Sequence, residues 1–255
     1  MSTDSAVTVE QHERILLVTL NRPEARNAIN REVSFALSDA MDRLDEDPSL
    51  SVAVLTGAGG NFCAGMDLKA FVRGEDPSVP GRGLGFTEAP PRKPVISAVE
   101  GFALAGGTEL ALATDLIVAS RTAMFGIPET KRGLVAGGGG LIRLPQRIPY
   151  QLAMELALTG DNLPAPRAHE LGLVNRLTEP GEALEAAMEL ARKITANGPL
   201  AVAVTKEVIT QSRDWPAPEA FDKQRTMIDP VFTSADAREG ALAFAEKRAP
   251  VWSGR

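Results

Sequence analysis

The sequence holds one cysteine, Cys63, and two histidines, His12 and His169, in 255 residues. A lone cysteine excludes an internal disulfide and a cysteine-built metal cage. The two histidines stand far apart with no metal motif around them, so no metal site is expected. A net positive charge is also lacking: 33 acids outnumber 27 Lys and Arg for a formal net charge of -6, which leaves no basic footprint for nucleic acid or an anionic membrane. No apolar run approaches the length of a membrane span. The opening "MSTDSAVTVE" has no basic segment followed by an apolar stretch, so no secretory leader is expected. These absences point to a cytoplasmic, metal-free protein.

What is present is an ordinary globular composition, 44% hydrophobic and 24% charged, enough for one large α/β domain or a domain with an appendage. "VTVE" and "ILLVTLN" read as an early hairpin across the polar "QHER". Asn30 is placed to cap a helix in which Val33, Leu37, Ala40, Met41 and Leu44 follow helical spacing. "SVAVLTG", "VISAVEG" and "LIVAS" read as buried strands, with "ELALATD" a short helix starting near Thr108. Residues 72–94, rich in Gly and Pro, read as a mobile loop or broken helix. After the glycines at 137–140 the chain reads as helical to its end, with Ser234 a helix cap. Strands and helices alternating over short links indicate a largely parallel sheet. A boundary is expected near 197–199, giving a core of 1–196 and a helical region of 197–255 suited to packing on a neighbour.

Three stretches carry chemistry. In "ALAGGTELAL" the acid Glu109 stands in a run otherwise small or apolar, just after Gly106 and Gly107. Glycines at a helix start leave N–H groups without intrahelical partners and let a ligand approach the backbone. That suits charge developing on a carbonyl oxygen, with Glu109 to handle a proton or a water beside it. "FCAGMDL" follows a glycine turn and offers the N–H of Met66 or Ala64 opposite the first donors. In "MFGIPETKRG", Pro128 restrains Ile127, so Glu129 projects from a fixed, extended backbone. Read singly, each has a plainer role: Glu109 an acid favoured by the helix dipole, Asp67 a turn cap, Glu129 a solvated acid neutralised by Lys131 and Arg132. Cys63 reads as a small, inert, buried thiol. The glycine clusters "GAGGNF" and "GGGG" lack the spacing of a dinucleotide fingerprint or a phosphate loop.

Taken together, "NRPEARNAIN", "FCAGMDL", "KPVISAVEGFALAGGTELALATDLIVAS", "FGIPE", "TGDNLPAPRAHELGLVNRL" and "GALAFAEKR", spread from residue 21 to 248, resemble the crotonase (enoyl-CoA hydratase/isomerase) superfamily. The resemblance implies an α/β fold, a crotonase-like spiral of ββα units with a C-terminal helical trimerisation region, as a homotrimer or hexamer. It implies an acyl-CoA thioester substrate and no separate cofactor, coenzyme A being part of the substrate. By position, the backbone N–H groups of Met66 and Gly106 become the oxyanion hole, and Glu109 and Glu129 the paired acids of an enoyl-CoA hydratase. Arg22, Arg26, Lys69 and Lys247 become cations for coenzyme A, Lys247 from an adjoining subunit. Ala28, Ala64 and Asp67 fall on positions lining the adenine and pantetheine path. Gly133, Gly137, Gly139 and Gly140 keep family positions, whereas Thr130, Lys131, Arg132 and Ala136 depart from them. Rival readings are an enoyl-CoA isomerase, a thioester hydrolase, or a non-catalytic acyl-CoA-binding protein. The glutamate pair favours the hydratase.

Overall fold

The structure, a computed structural model, describes residues 5–255; residues 1–4, which open the segment read for a leader, lie outside the described residues. The chain starts with the hairpin β1 (Val7–His12) and β2 (Ile15–Leu20), turning at Glu13 with φ 54°. Gln11 and His12 thus belong to the first strand rather than to the link. Helix α1 (Arg31–Glu46) follows, its first turn capped by the Asn30 side chain, which accepts from the Val33 N–H. The five apolar residues of its periodic stripe are all buried. After α1 come β3 (Val52–Gly57) and the short α2 (Leu68–Val72). Two similar units then appear in series: β4 (Val95–Val99), β5 (Phe102–Leu104) and α3 (Gly106–Ala113), then β6 (Leu116–Ser120), β7 (Met124–Gly126) and a 3-10 turn over Pro128–Arg132.

The remaining elements are α4 (Gly140–Arg147), α5 (Tyr150–Thr159), β8 (Leu163–Pro164), α6 (Ala165–Glu170), β9 (Arg176–Thr178) and α7 (Ala183–Thr195), then α8 (Pro199–Gln211), α9 (Ala220–Phe232) and α10 (Ala235–Glu246). The chain is therefore not wholly helical after the glycine run. β9 completes the edge of the main sheet beside β6 and β8 pairs with β7. Strands of two or three residues are too short to show alternation, which is why periodicity misses them.

The main sheet runs β1-β2-β3-β4-β6-β9, parallel except for the opening hairpin, and a second sheet runs β5-β7-β8. Alternate residues of the main strands face opposite ways. Leu16, Val18, Ala53, Leu55, Val95 and Ile117 join the larger core with α1 and α3. Ile15, Val52, Val54, Ile96 and Val118 meet Ala187, Met188 and Ala191 of α7 on the other face.

Segment 72–94 is non-repetitive but pinned. Arg82 pairs with Asp42, the Arg92 and Lys93 amides donate to Asp45, and Phe86 is fully buried. Both carboxylates belong to α1, so Gly and Pro here permit sharp turns without freeing the segment. At the other end, α8, α9 and α10 pack on one another. Lys206 of α8 reaches back to Asp115 at 2.7 Å and to the Lys93 carbonyl. No helix among the described residues is long and apolar enough to cross a membrane.

Candidate active site

A cleft of 650 Å³ opens where the loops after β3 and β5 meet the 3-10 turn and the glycine run before α4. Ala64, Met66, Gly106, Glu109 and Glu129 line it together, although 65 residues separate the first from the last.

The two backbone donors come from separate turns of the chain that touch along their main chains. Cys63 bridges to Ala103 and Met66 to Ile29. Glycine makes the contact possible: a Cβ on Gly107 would stand 2.2 Å from the Cys63 carbonyl oxygen, and one on Gly65 would stand 2.6 Å from the Ala105 Cβ. The same construction on Gly106 would put a Cβ 3.7 Å from the Met66 nitrogen, so the amides of Met66 and Gly106 are close neighbours. Among the described residues neither amide donates a hydrogen bond. Gly106 is the first residue of α3, where an N–H has no intrahelical acceptor. The helix therefore starts two residues earlier than its sequence indicates. Ala105 aims it, with φ 52° and ψ −125°, and is tied by its own amide to the Gly126 carbonyl. An L-residue in that conformation stores about 1–3 kcal/mol, held here by surrounding structure.

All eight residues of α3 are buried, Glu109 at 2% exposure. Its Oε1 accepts from the Gly140 amide at 2.9 Å, the N-terminal N–H of α4 rather than of its own helix. Gly138 lies equally close: a Cβ there would stand 2.8 Å from Oε2. Thr108, beside it, ties α3 down through hydroxyl contacts to the Ala103 and Gly126 carbonyls. Burial pushes the Glu109 carboxyl above the ordinary range, against the Gly140 and Gly138 amides and the charge of Arg143, which pull it back. Glu129 is half-buried on the 3-10 turn, not on the extended stretch expected, because Pro128 opens that turn at its first position. Burial raises its pKa too, the charge of Glu109 raises it further, and Arg132 opposes both. Its Oε2 is buried without a hydrogen-bond partner among the described residues. Lys131 is engaged with Asp161 at 2.8 Å instead. Two carboxyls biased toward protonation, facing a pair of free amides, can exchange a proton while an oxygen gains charge.

Arg132 and Gly137 also line the cleft, whereas Arg22, Arg26, Ala28, Asp67, Lys69 and Lys247 do not. Asp67 caps α2 by accepting from the Lys69 and Ala70 amides. It also pairs with Arg22 at 3.0 Å, and despite partial burial these donors hold its pKa low. Arg22 is consumed there and on the Ala28 carbonyl at 2.6 Å. Arg26 adopts a left-handed backbone and lies 5.7 Å from the Phe102 ring centroid. Lys69 is exposed on α2, and Lys247 is exposed at the end of α10. Cys63 is fully buried and burial pushes its thiol up to about 12, which removes a nucleophile. Residues of the Gly- and Pro-rich segment 72–94, Leu84 among them, form one wall of the cleft. Sequence reasoning missed Gly138 as a bed for Glu109, which the glycine run marks, and Arg143, which nothing local marks.

Comparison with known proteins agrees with this geometry. The family described as Enoyl-CoA hydratase/isomerase matches residues 10–255. Enoyl-CoA hydratase EchA19 of Mycobacterium tuberculosis is 45% identical, over 97% of this chain and 96% of its own. Carnitinyl-CoA dehydratase of Salmonella typhi is 44% identical over 94% and 95%. The crystal structure of enoyl-CoA hydratase EchA1 from Mycobacterium marinum superposes with a TM-score of 0.98 at 69% identity, covering 99% of this chain and 100% of that one. A chain whose fold, length and sequence agree to this degree belongs to the enoyl-CoA hydratase/isomerase family, within the crotonase superfamily.

Proposed function

We propose that the protein is an enoyl-CoA hydratase, adding water across the α,β double bond of an enoyl-CoA thioester. The observation that carries this reading is the meeting of two protonation-biased carboxyls, Glu109 and Glu129, with two undonated amides in one cleft. The Met66 and Gly106 N–H groups receive the thioester oxygen. As electrons shift from the C=C toward that oxygen, Cβ becomes electrophilic, and each donor is worth about 3 kcal/mol at the transition state. Glu109 removes a proton from water as its oxygen bonds to Cβ, and Glu129 delivers a proton to Cα. The orphaned Glu129 oxygen and the Glu109 oxygen beside Gly138 are the two groups that grip that water. Relatives named carnitinyl-CoA dehydratase fit the same machinery, since dehydration of a 3-hydroxyacyl thioester is this reaction reversed.

Coenzyme A enters past Ala28 and Ala64, whose segments are joined where the Ala64 amide donates to the Arg26 carbonyl, with Arg26 beside it; Asp67 contributes by fixing the turn and Arg22, not by touching the ligand. Lys247 acts from an adjoining subunit of a homotrimer. Supporting that assembly, α8 and α9 bury no residue within the chain, and Phe221, Phe232 and Phe244 are 71%, 74% and 88% exposed. The test is loss of enoyl-thioester absorbance with crotonyl-CoA. Glu109→Gln and Glu129→Gln should each slow turnover by about 10²–10⁴ with little change in thioester binding. Wild-type hydration by either variant overturns the reading. Thiol release in place of absorbance loss would show a hydrolase.

A further inference from the structure

Arg143 is a half-buried guanidinium with no carboxylate within ion-pair distance among the described residues. Such a placement is costly, and burial accordingly lowers its pKa. Its hydrogen bonds run to main-chain carbonyls on two segments. Nη2 donates to Thr87 at 2.6 Å, and Nη1 lies 3.5 Å from the Gly138 oxygen. Thr87 is itself fully buried, and its hydroxyl accepts from the Leu84 amide at 3.0 Å. Leu84 lines the cleft, and its Cδ1 rests over both Gly106 and Gly138, 3.0 and 3.1 Å from where their Cβ atoms would stand. Gly138 in turn abuts Glu109 Oε2. Gly139, at φ 99°, leaves room for the guanidinium; a Cβ there would stand 2.2 Å from Nη1.

We infer that Arg143 is a positioning residue of this site, clamping the Leu84 wall and the glycine bed of Glu109 into one unit and presenting its positive charge to that carboxylate. The inference rests on Glu109 being the base of the proposed hydration. Segment 72–94 brings Glu75, Asp76 and Glu88 to the same cleft, and charge reaches Glu109 from few other directions. α3 supplies no other titratable group, the 3-10 turn supplies Glu129 with Arg132 behind it, and α4 supplies Arg143, with Arg147 next along the helix. Arg143 is the cation that acts on Glu109, adding its pull to those of the Gly140 and Gly138 amides against desolvation. A planar fork holds the two carbonyls from two separate nitrogens in fixed geometry, which a single ammonium nitrogen on a flexible stem does not reproduce.

Arg143→Met keeps the apolar stem and removes charge and fork. Its acid limb of kcat/KM against pH should move to higher pH, because Glu109 then stays protonated further up the scale. Turnover at neutral pH should fall about 10- to 100-fold, and added guanidinium ion should restore part of it. Arg143→Lys keeps the charge without the fork. Its acid limb should stay near the wild-type position, while the kcat/KM ratio between a branched and a straight enoyl-CoA changes at least about threefold as Leu84 loosens. An unmoved limb and no guanidinium rescue in Arg143→Met overturn the inference even if its Tm falls. Should that variant fail to fold, wild-type selectivity in Arg143→Lys overturns it. Glu109→Gln measured in parallel separates the two levels: an active Glu109→Gln removes the hydratase reading, whereas an inactive one beside an unshifted Arg143→Met removes only the role of Arg143.

Discussion

Gly138→Ala adds a single methyl group at the point where the cleft wall meets the base. Gly138 is buried and its φ lies outside the left-handed region, so alanine meets no backbone strain; everything depends on space. The new Cβ would stand 2.8 Å from Glu109 Oε2, 3.1 Å from Glu109 Cδ and 3.1 Å from Leu84 Cδ1, where ordinary contact begins at 3.4 Å. The neighbours must therefore yield by several tenths of an ångström. Glu109 is pinned on its other oxygen by the Gly140 amide at 2.9 Å and the Leu84 backbone is held by Thr87, so the strain falls on the Glu109 carboxylate and the Leu84 side chain. A misplacement of about 1 Å costs on the order of 10²-fold in rate. For the smaller displacement here a 10- to 50-fold fall in kcat is expected, with KM changing far less. Overpacking costs about 1–3 kcal/mol, or several degrees in Tm for a chain of this length. Steady-state hydration kinetics with crotonyl-CoA and a thermal melt measure both. Gly137→Ala, where nothing lies within 4 Å, is the stability control and should melt like wild type. A Gly138→Ala enzyme with kcat within twofold of wild type would refute the tight seating of Glu109.

The raised pKa of Glu109 has a sign for stability as well as for rate. The folded state holds the Glu109 proton to a higher pH than the unfolded chain, so the associated stability is present below the ordinary glutamate value of 4.5 and is lost as pH climbs through the raised folded pKa. Glu109→Gln, which cannot ionise, should thus melt higher than wild type at neutral pH and lose that advantage near pH 4, the reverse order ruling out a desolvated carboxylate. Thr108→Val leaves the buried Gly126 amide and the Ala103 carbonyl without the hydroxyl, at about 1–3 kcal/mol; an unchanged chemical-denaturation midpoint would contradict it. At Ala105, φ 52° tolerates glycine but strains a β-branched side chain. Ala105→Gly should keep activity within about threefold, whereas Ala105→Val should lose most of it. Equal kcat values for the two would remove the claim that this conformation aims the Gly106 amide.

Much of this architecture is readable in the chain because it rests on local rules. Asn30, Asp67 and Ser234 cap the helices their positions imply, each side chain accepting from an amide two or three residues on. Buried parallel strands such as Val52–Gly57 and Val95–Val99 stand out as continuous apolar runs. Glu109 is conspicuous because a charge in an apolar run needs a reason. What escapes is non-local. The amide that steadies Glu109 comes from Gly140, 31 residues later, and the carbonyl that receives Arg143 lies 56 residues before it. In "LIRL" that arginine looks like any surface cation on an amphipathic helix. The positive φ of Ala105 likewise has no local signature, since alanine, unlike glycine or asparagine, does not favour it. Residues 72–94 were hard for a related reason: Gly and Pro announce turns, but the α1 carboxylates that pin the segment follow a different pattern altogether.

The touching of the two chain turns at Cys63–Ala103 and Gly65–Ala105 has one more implication. With no side chain interposed between them, the distance separating the paired amides is fixed by peptide geometry, which replacement of side chains barely alters. Walls such as Leu84, Phe71 and Val135 can therefore be exchanged to admit different acyl groups while the electrophile-polarising unit keeps its dimensions. An inherited backbone clasp of this kind lets one scaffold diversify its substrates without rebuilding its chemistry.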